Sequence, residues 1–269
     1  MTSRTTAIAG ALFLALAPMP AVAQTRPGFE LGAELVGYRY RERVGGETIV
    51  RDHGLLGRLR GSYVETVGRR TFLRAVYDVG TGKVDYRADD ATRLDDVSQT
   101  VGQLELHVGR DLALGNTTLT LFTGLGGRAL FDESGGRTAS DGAAGYDRTI
   151  GYAFVPLGAS IGLPLGRTRL ILSGQYDQLF GGSAKSDFSD VDAGLPDVKL
   201  RLRGGRGIEV SGILAVPVGG KELRFGPVLR RWWIDRSRSR TFTEPEGSVT
   251  VFEPANRTTE FSMRLSLAF

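Results

Sequence analysis

Along most of its length the chain alternates apolar and polar residues with a period of two, the pattern of strands whose faces meet different surroundings. The stretch "TTEFSMRLSLAF" is the clearest case. Thr259, Phe261, Met263, Leu265, Leu267 and Phe269 share one face, and Glu260, Ser262, Arg264, Ser266 and Ala268 the other. The same reading finds "FELGAELVGYRY", "GLLGRLRGSYVET", "TFLRAVYDVG", "TVGQLELHVG" and "TLTLFTGLGGRAL" in the first half. It finds "YAFVPLGASIGL", "RLILSGQYDQL", "GIEVSGILAV" and "LRFGPVLRRWWI" in the second, so the pattern predicts ten strands.

The connections narrow the fold. After the even strands they are short and carry glycine ("VGRR", "LGNT", "LGR", "VGGKE"). After the odd strands they are longer and polar, notably "ADDATRLDDVSQ", "DESGGRTASDGAAGYD", "GGSAKSDFSDVDAGLPDVKLRLRGG" and "RSRSRTFTEPEGSVTVFEPAN". A soluble sandwich accounts for the alternation but not for this two-sided loop pattern. Short turns on one rim and long loops on the other are the layout of a barrel in a bilayer, where only closure satisfies every backbone group.

The first residues are of another kind. One Arg, the apolar run "AIAGALFLALAP" and Ala21-x-Ala23 have the three-part layout of a secretory signal peptide, with cleavage expected after Ala23. The run is too short for a permanent membrane helix, and no other long apolar stretch follows. Two parts result: a signal peptide over 1–23 and one β domain over 24–269. The chain has no Cys, which excludes a lipidated cysteine and a disulfide framework. Of 34 Lys and Arg only Arg4 lies in the leader, and none of the 30 Asp and Glu does, so the domain carries +3. That excess is too small for a nucleic-acid partner.

The leader, the ten-strand layout and a final strand ending in Phe269 resemble a Gram-negative outer-membrane β-barrel protein. "GYAFVPLGASIGLPLG" and "EPANRTTEFSMRLSLAF" are similar to uncharacterised, porin-like members. The resemblance implies an all-β, closed antiparallel transmembrane barrel of about ten strands in the cell outer membrane. It also implies a C-terminal strand, ending in Phe269, that is read by the barrel assembly machinery.

In such a barrel the polar face looks into a narrow lumen. The residues placed there are Glu30, Glu34, Arg74, Asp78, Gln103, Glu105, His107, Arg128, Arg169, Gln175, Asp177, Glu209, Arg224, Arg230, Glu260 and Arg264. Acids and arginines are nearly balanced, and mutual pairing is expected because an unpaired charge there costs several kcal/mol. In "RRWWIDRSRSR", Trp232 and Trp233 fit an interfacial aromatic belt. Arg236, Arg238 and Arg240 suit lipopolysaccharide phosphates or another anionic partner.

Catalysis finds little support. The omptins, ten-stranded outer-membrane proteases, set an Asp pair against an Asp/His pair. Here Asp52 and His53 are adjacent and must point to opposite faces, Asp89, Asp90, Asp95 and Asp96 follow in the next outer segment, and no His occurs after His107. "VGTGKV" lacks the spacing of a phosphate loop and reads as a strand kink. The aspartates 187, 190, 192 and 197 lack EF-hand spacing and read as a solvated loop. No catalytic residue, metal or cofactor is expected. The reading is a non-enzymatic envelope-structural or narrow porin-like barrel; the alternative is a surface adhesin or glycan- or lipopolysaccharide-binding barrel acting through its outer loops.

Overall fold

The computed structural model describes residues 25–88, 91–244 and 247–269; residues 1–23, where a signal peptide is expected, and Asp89 and Asp90 lie outside these. Thirteen strands follow in order: β1 Gly28–Val44, β2 Glu47–Thr66, β3 Thr71–Ala88, β4 Thr92–Leu114, β5 Thr117–Glu133, β6 Arg148–Leu165 and β7 Thr168–Ser186. Then come β8 Val198–Arg201, β9 Gly205–Val218, β10 Lys221–Ile234, β11 Arg240–Glu244, β12 Gly247–Val251 and β13 Ala255–Ala268. Ten of them are staves of one antiparallel sheet that closes on itself through β6–β7 and β1–β13. The short β8 extends the top of β7, and β11 and β12 form a separate hairpin.

All ten strands expected from alternation are the ten staves. Adjacent residues show why the pattern was so clear: Leu35 is 64% exposed on the outer wall, whereas Glu34 is 3% exposed in the lumen. Leu31, Leu59, Leu104, Leu106, Leu125, Leu157, Phe261, Met263 and Leu265 extend this outward apolar band. Among the described residues no helix is long and apolar enough to cross a membrane; the crossing is made by strands.

The outer half departs from the expected loops. β1 and β2 run on to a two-residue turn, Gly45–Gly46, with φ of 61° and 93°. This is the doubly left-handed geometry that suits a tight hairpin and favours glycine. "ADDATRLDDVSQ" is likewise strand rather than loop for most of its length. A bulge explains why it was hidden. The β3–β4 register shifts between Val84 and Tyr86, and Asp96 opposite has φ 56°, so buried Leu94 and Val97 fall out of phase. "VGTGKV" is a regular part of β3, with Gly80 opposite Arg58 and Gly82 opposite Leu56. Only the β5–β6, β7–β9 and β10–β13 connections are long. With up to 23 residues, far beyond the roughly 9–11 needed to span a bilayer, the strands project well past the apolar band.

Candidate functional site

The inward positions build one interior with two regions. On the side of the short turns, the lumen is filled by charged side chains. Glu34 on β1 is one centre: Arg230 donates two hydrogen bonds to it, 2.7 and 3.0 Å, Arg264 Nε donates at 2.7 Å and Ser262 Oγ at 2.9 Å. Glu260 on β13 is the other, accepting from Arg58 Nη2 at 2.7 Å and from Arg128. Arg58 joins the two, because its Nη1 lies 3.6 Å from Glu34 and its Nε 3.5 Å from Asp78.

From Arg128 a chain of bonds crosses the lumen. Arg128 donates to Gln103 at 3.0 Å and Gln103 to Glu105 at 2.7 Å. His107 Nε2 contacts Glu105 at 2.7 Å, and Gln175 links Glu105 to Asp177 with bonds of 2.9 and 2.8 Å. Arg74 donates to His107 Nδ1 at 3.1 Å and lies 4.7 Å over the Phe122 ring. Since Nδ1 accepts, Nε2 carries the proton in this network. Both ring nitrogens are engaged, so neither is free to take a proton from a hydroxyl. Nearer the short turns, Arg224 binds Glu30 at 2.5 Å and Arg169 binds Glu222 at 3.0 Å; at the level of Glu260, Arg230 Nε binds Glu209 at 2.6 Å.

Trp232 requires a correction. It does not stand in an outer belt but points inward, 2% exposed, because it shares strand parity with Arg230. Its ring meets Tyr152 at 5.2 Å and Phe154 at 5.1 Å, with the Arg128 guanidinium 5.4 Å from its centroid. Val36, Tyr38, Leu56, Val101 and Leu130 complete a buried apolar layer above the charges. Trp233, one residue on, faces the outer wall. Arg236, Arg238 and Arg240 are exposed beyond the rim, with Arg236 3.7 Å over Phe252 and Arg240 4.7 Å over Phe242.

Above the apolar layer is a cup that sequence reasoning did not single out. Arg148 is bonded to Glu42 and lies 3.6 Å from Glu253, while Asp52 and Asp132 each keep a buried carboxylate oxygen without a hydrogen-bond partner. A cavity of about 300 Å³ opens beside it, lined by Tyr86, Tyr146, Leu94 and Val97. His53 turns outward, 3.8 Å from Asp85, so Asp52 and His53 do lie on opposite faces. The loop aspartates serve local contacts: Asp187 binds Lys185 at 2.5 Å and Asp197 accepts from Ser189 at 2.7 Å.

Missed lumen residues carried a signal. Arg58 has the parity of Arg60 and Ser62, and strict period-two counting selects it. Glu42 continues the inward series Glu34, Val36, Tyr38, Tyr40.

Glu253, on the segment between β12 and β13, supports a prediction. Burial pushes its carboxyl up to about 7, against the opposing pull of Arg148 and with help from Glu42. A raised carboxyl means the folded state holds the proton more tightly than the unfolded chain. The resulting stability is fully present below the unfolded value near 4.5 and is lost as pH rises toward 7. Backbone hydrogen exchange in 235–254, corrected for intrinsic rates, is therefore slower at pH 5 than at pH 8, and Glu253→Gln removes most of that difference. Equal protection at both pH values in the parent protein contradicts the assignment.

No protein-family model matches the sequence, and no curated protein is similar to it. Solved structures match in shape. The outer-membrane protease OmpT from Escherichia coli superposes with a TM-score of 0.63 at 10% identity, over 90% of this chain and 95% of that one. An outer-membrane channel from Pseudomonas putida F1 matches at 0.43 with 13% identity, covering 94% and 100%. The translocator domain of the autotransporter NalP from Neisseria meningitidis matches at 0.42 with 12% identity, covering 91% and 89%. At 10% identity the likeness to OmpT is one of fold, and the strands, the outward apolar band and the unequal rims agree with it: this chain folds as a ten-stranded outer-membrane β-barrel.

Proposed function

We propose that the protein is a non-enzymatic outer-membrane barrel with an envelope-structural role and a lumen sealed to solutes. The observation that carries this reading is the double obstruction of the interior. A charge network bonded across the lumen lies under an apolar layer centred on Trp232, whose exposure is 2%. A pore lined by unpaired charges would hold water; here most lumen carboxylates accept from arginines on other strands. The engaged nitrogens of His107 and the opposed directions of Asp52 and His53 support a non-enzymatic reading.

Phe269 fits the proposed contact with the assembly machinery. Its ring is 53% exposed on the outer wall, and its backbone N–H donates to Phe29 O at 2.8 Å, holding the last residue in the sheet.

Planar-bilayer recording tests the seal. The refolded protein, its folding verified by faster migration unboiled than boiled, is expected to leave the membrane silent. Discrete conductance steps sensitive to Arg74→Ala or Arg264→Ala would instead make it a narrow porin with its path through the charges.

A further inference from the structure

Outside the lumen, one stretch of the outer wall concentrates positive charge in a way the barrel itself does not use. Arg51 on β2 stands opposite Arg41 on β1, Arg41 opposite Arg257 on β13, Arg257 opposite Trp233 on β10, and Trp233 opposite Arg206 on β9. The five residues form one continuous row across five adjacent strands, all of one outward parity. Two residues toward the short turns, the next row adds Arg39 and Arg231. The row after that is apolar, with Leu55, Phe261, Leu229 and Val210. The arginines therefore begin where the lipid-facing band ends.

Three of the guanidiniums surround one ring: Arg231, Arg206 and Arg257 lie 5.2, 5.5 and 5.8 Å from the Trp233 centroid. None of the row's arginines forms an ion pair with a carboxylate among the described residues. The contrast comes one strand further on, at Arg87 opposite Arg51, where Asp95 supplies a carboxylate at 2.5 Å. Beside the ring the wall is recessed. β7 pairs with β9 only as far as Gln178 and with β8 above, and the split leaves a crevice of about 410 Å³. Arg43, Arg203, Arg206 and Arg257 line it with Trp233; Asp235, its one acidic residue, forms no ion pair with them.

Like charges gathered this closely repel one another, and no carboxylate among the described residues pairs with them. Guanidiniums match phosphate bidentately, and an indole face offers a plate for the apolar side of a sugar ring. From this arrangement we infer that the crevice around Trp233 binds the phosphorylated disaccharide headgroup of a lipopolysaccharide in the outer leaflet, its acyl chains lying along the apolar band below. The position at the edge of that band selects a lipid over a soluble anion. The site is separate from Arg236, Arg238 and Arg240 beyond the rim, and the inference holds whether or not the lumen conducts.

The test is native mass spectrometry of the detergent-refolded protein titrated with lipid A bearing both phosphates, with phosphatase-treated lipid A, and with inorganic phosphate as competitor. One bound lipid A is expected. Removing its phosphates, or substituting R206Q, R231Q and R257Q together, weakens binding by about tenfold or more, and millimolar inorganic phosphate does not displace it. Unboiled gel mobility checks the variant's fold; if the triple variant fails to fold, R41Q with R51Q, both on exposed side chains, is expected to weaken binding in the same direction. Equal binding of the dephosphorylated lipid, or undiminished binding by a folded variant, overturns the proposal. Displacement by inorganic phosphate overturns its assignment to a lipid.

Discussion

Glu34→Ala lowers the unfolding free energy of the folded barrel by about 3–5 kcal/mol, the range for removing one partner from a buried ionic set. The size follows from what the carboxylate holds. It accepts from Arg230 twice, from Arg264 and from Ser262, and it lies near Arg58. Its removal leaves guanidiniums from three other strands short of an anion in a space closed to water. Urea titration of the protein in lipid vesicles, read by unboiled gel mobility, measures the loss. Glu65→Ala is the comparison: that residue is exposed and bonded only to Tyr63, and its loss costs about 0.5 kcal/mol or less. Equal effects from the two substitutions would show that the lumen carboxylate is not structurally coupled.

Trp232→Ala removes the largest fully buried side chain among the described residues and is expected to cost about 3–5 kcal/mol. It has a second consequence that Glu34→Ala lacks. Tyr152 and Phe154 lose the ring they pack on, and Arg128 loses the π face above it. Water then reaches the charges from the outer side, and the silent barrel becomes leaky in a planar bilayer. Trp232→Phe keeps a ring and stays silent. A Trp232→Ala variant that is both stable and silent would move the seal elsewhere in the lumen.

How far these features could be read in advance depended on what enforces them. Alternation inside the apolar band is imposed by lipid on one side and a crowded lumen on the other, so Leu35 beside Glu34 is legible from the period-two pattern alone. Beyond the band the outer wall meets water, both faces tolerate polar residues, and the signal fades. The bulge at Asp95–Asp96 then shifts the phase, and a hairpin resembles a loop. Parity also decides between Trp232 and Trp233: an aromatic pair suggests a belt, but neighbours on a strand cannot both belong to it. That the inward acids and arginines should pair was expected from their balance, while the individual partners were not legible. Glu34 meets Arg230 across 196 residues and Arg264 across 230, and no local pattern encodes such partners.

The seam between β1 and β13 gives the barrel an order of assembly. Its fourteen paired positions join the two ends of the sheet, the contacts most distant in sequence. Such contacts form late, because long loops must close before they add anything. Glu34 stands on one side of that seam, Glu260 and Arg264 on the other. A growing sheet that lacks β13 therefore carries Glu34 without Arg264, and Arg58 and Arg128 without Glu260. Completing these ion pairs and shutting the cylinder are a single late step, and an incompletely closed intermediate is marked by the charges it leaves unpaired at the seam.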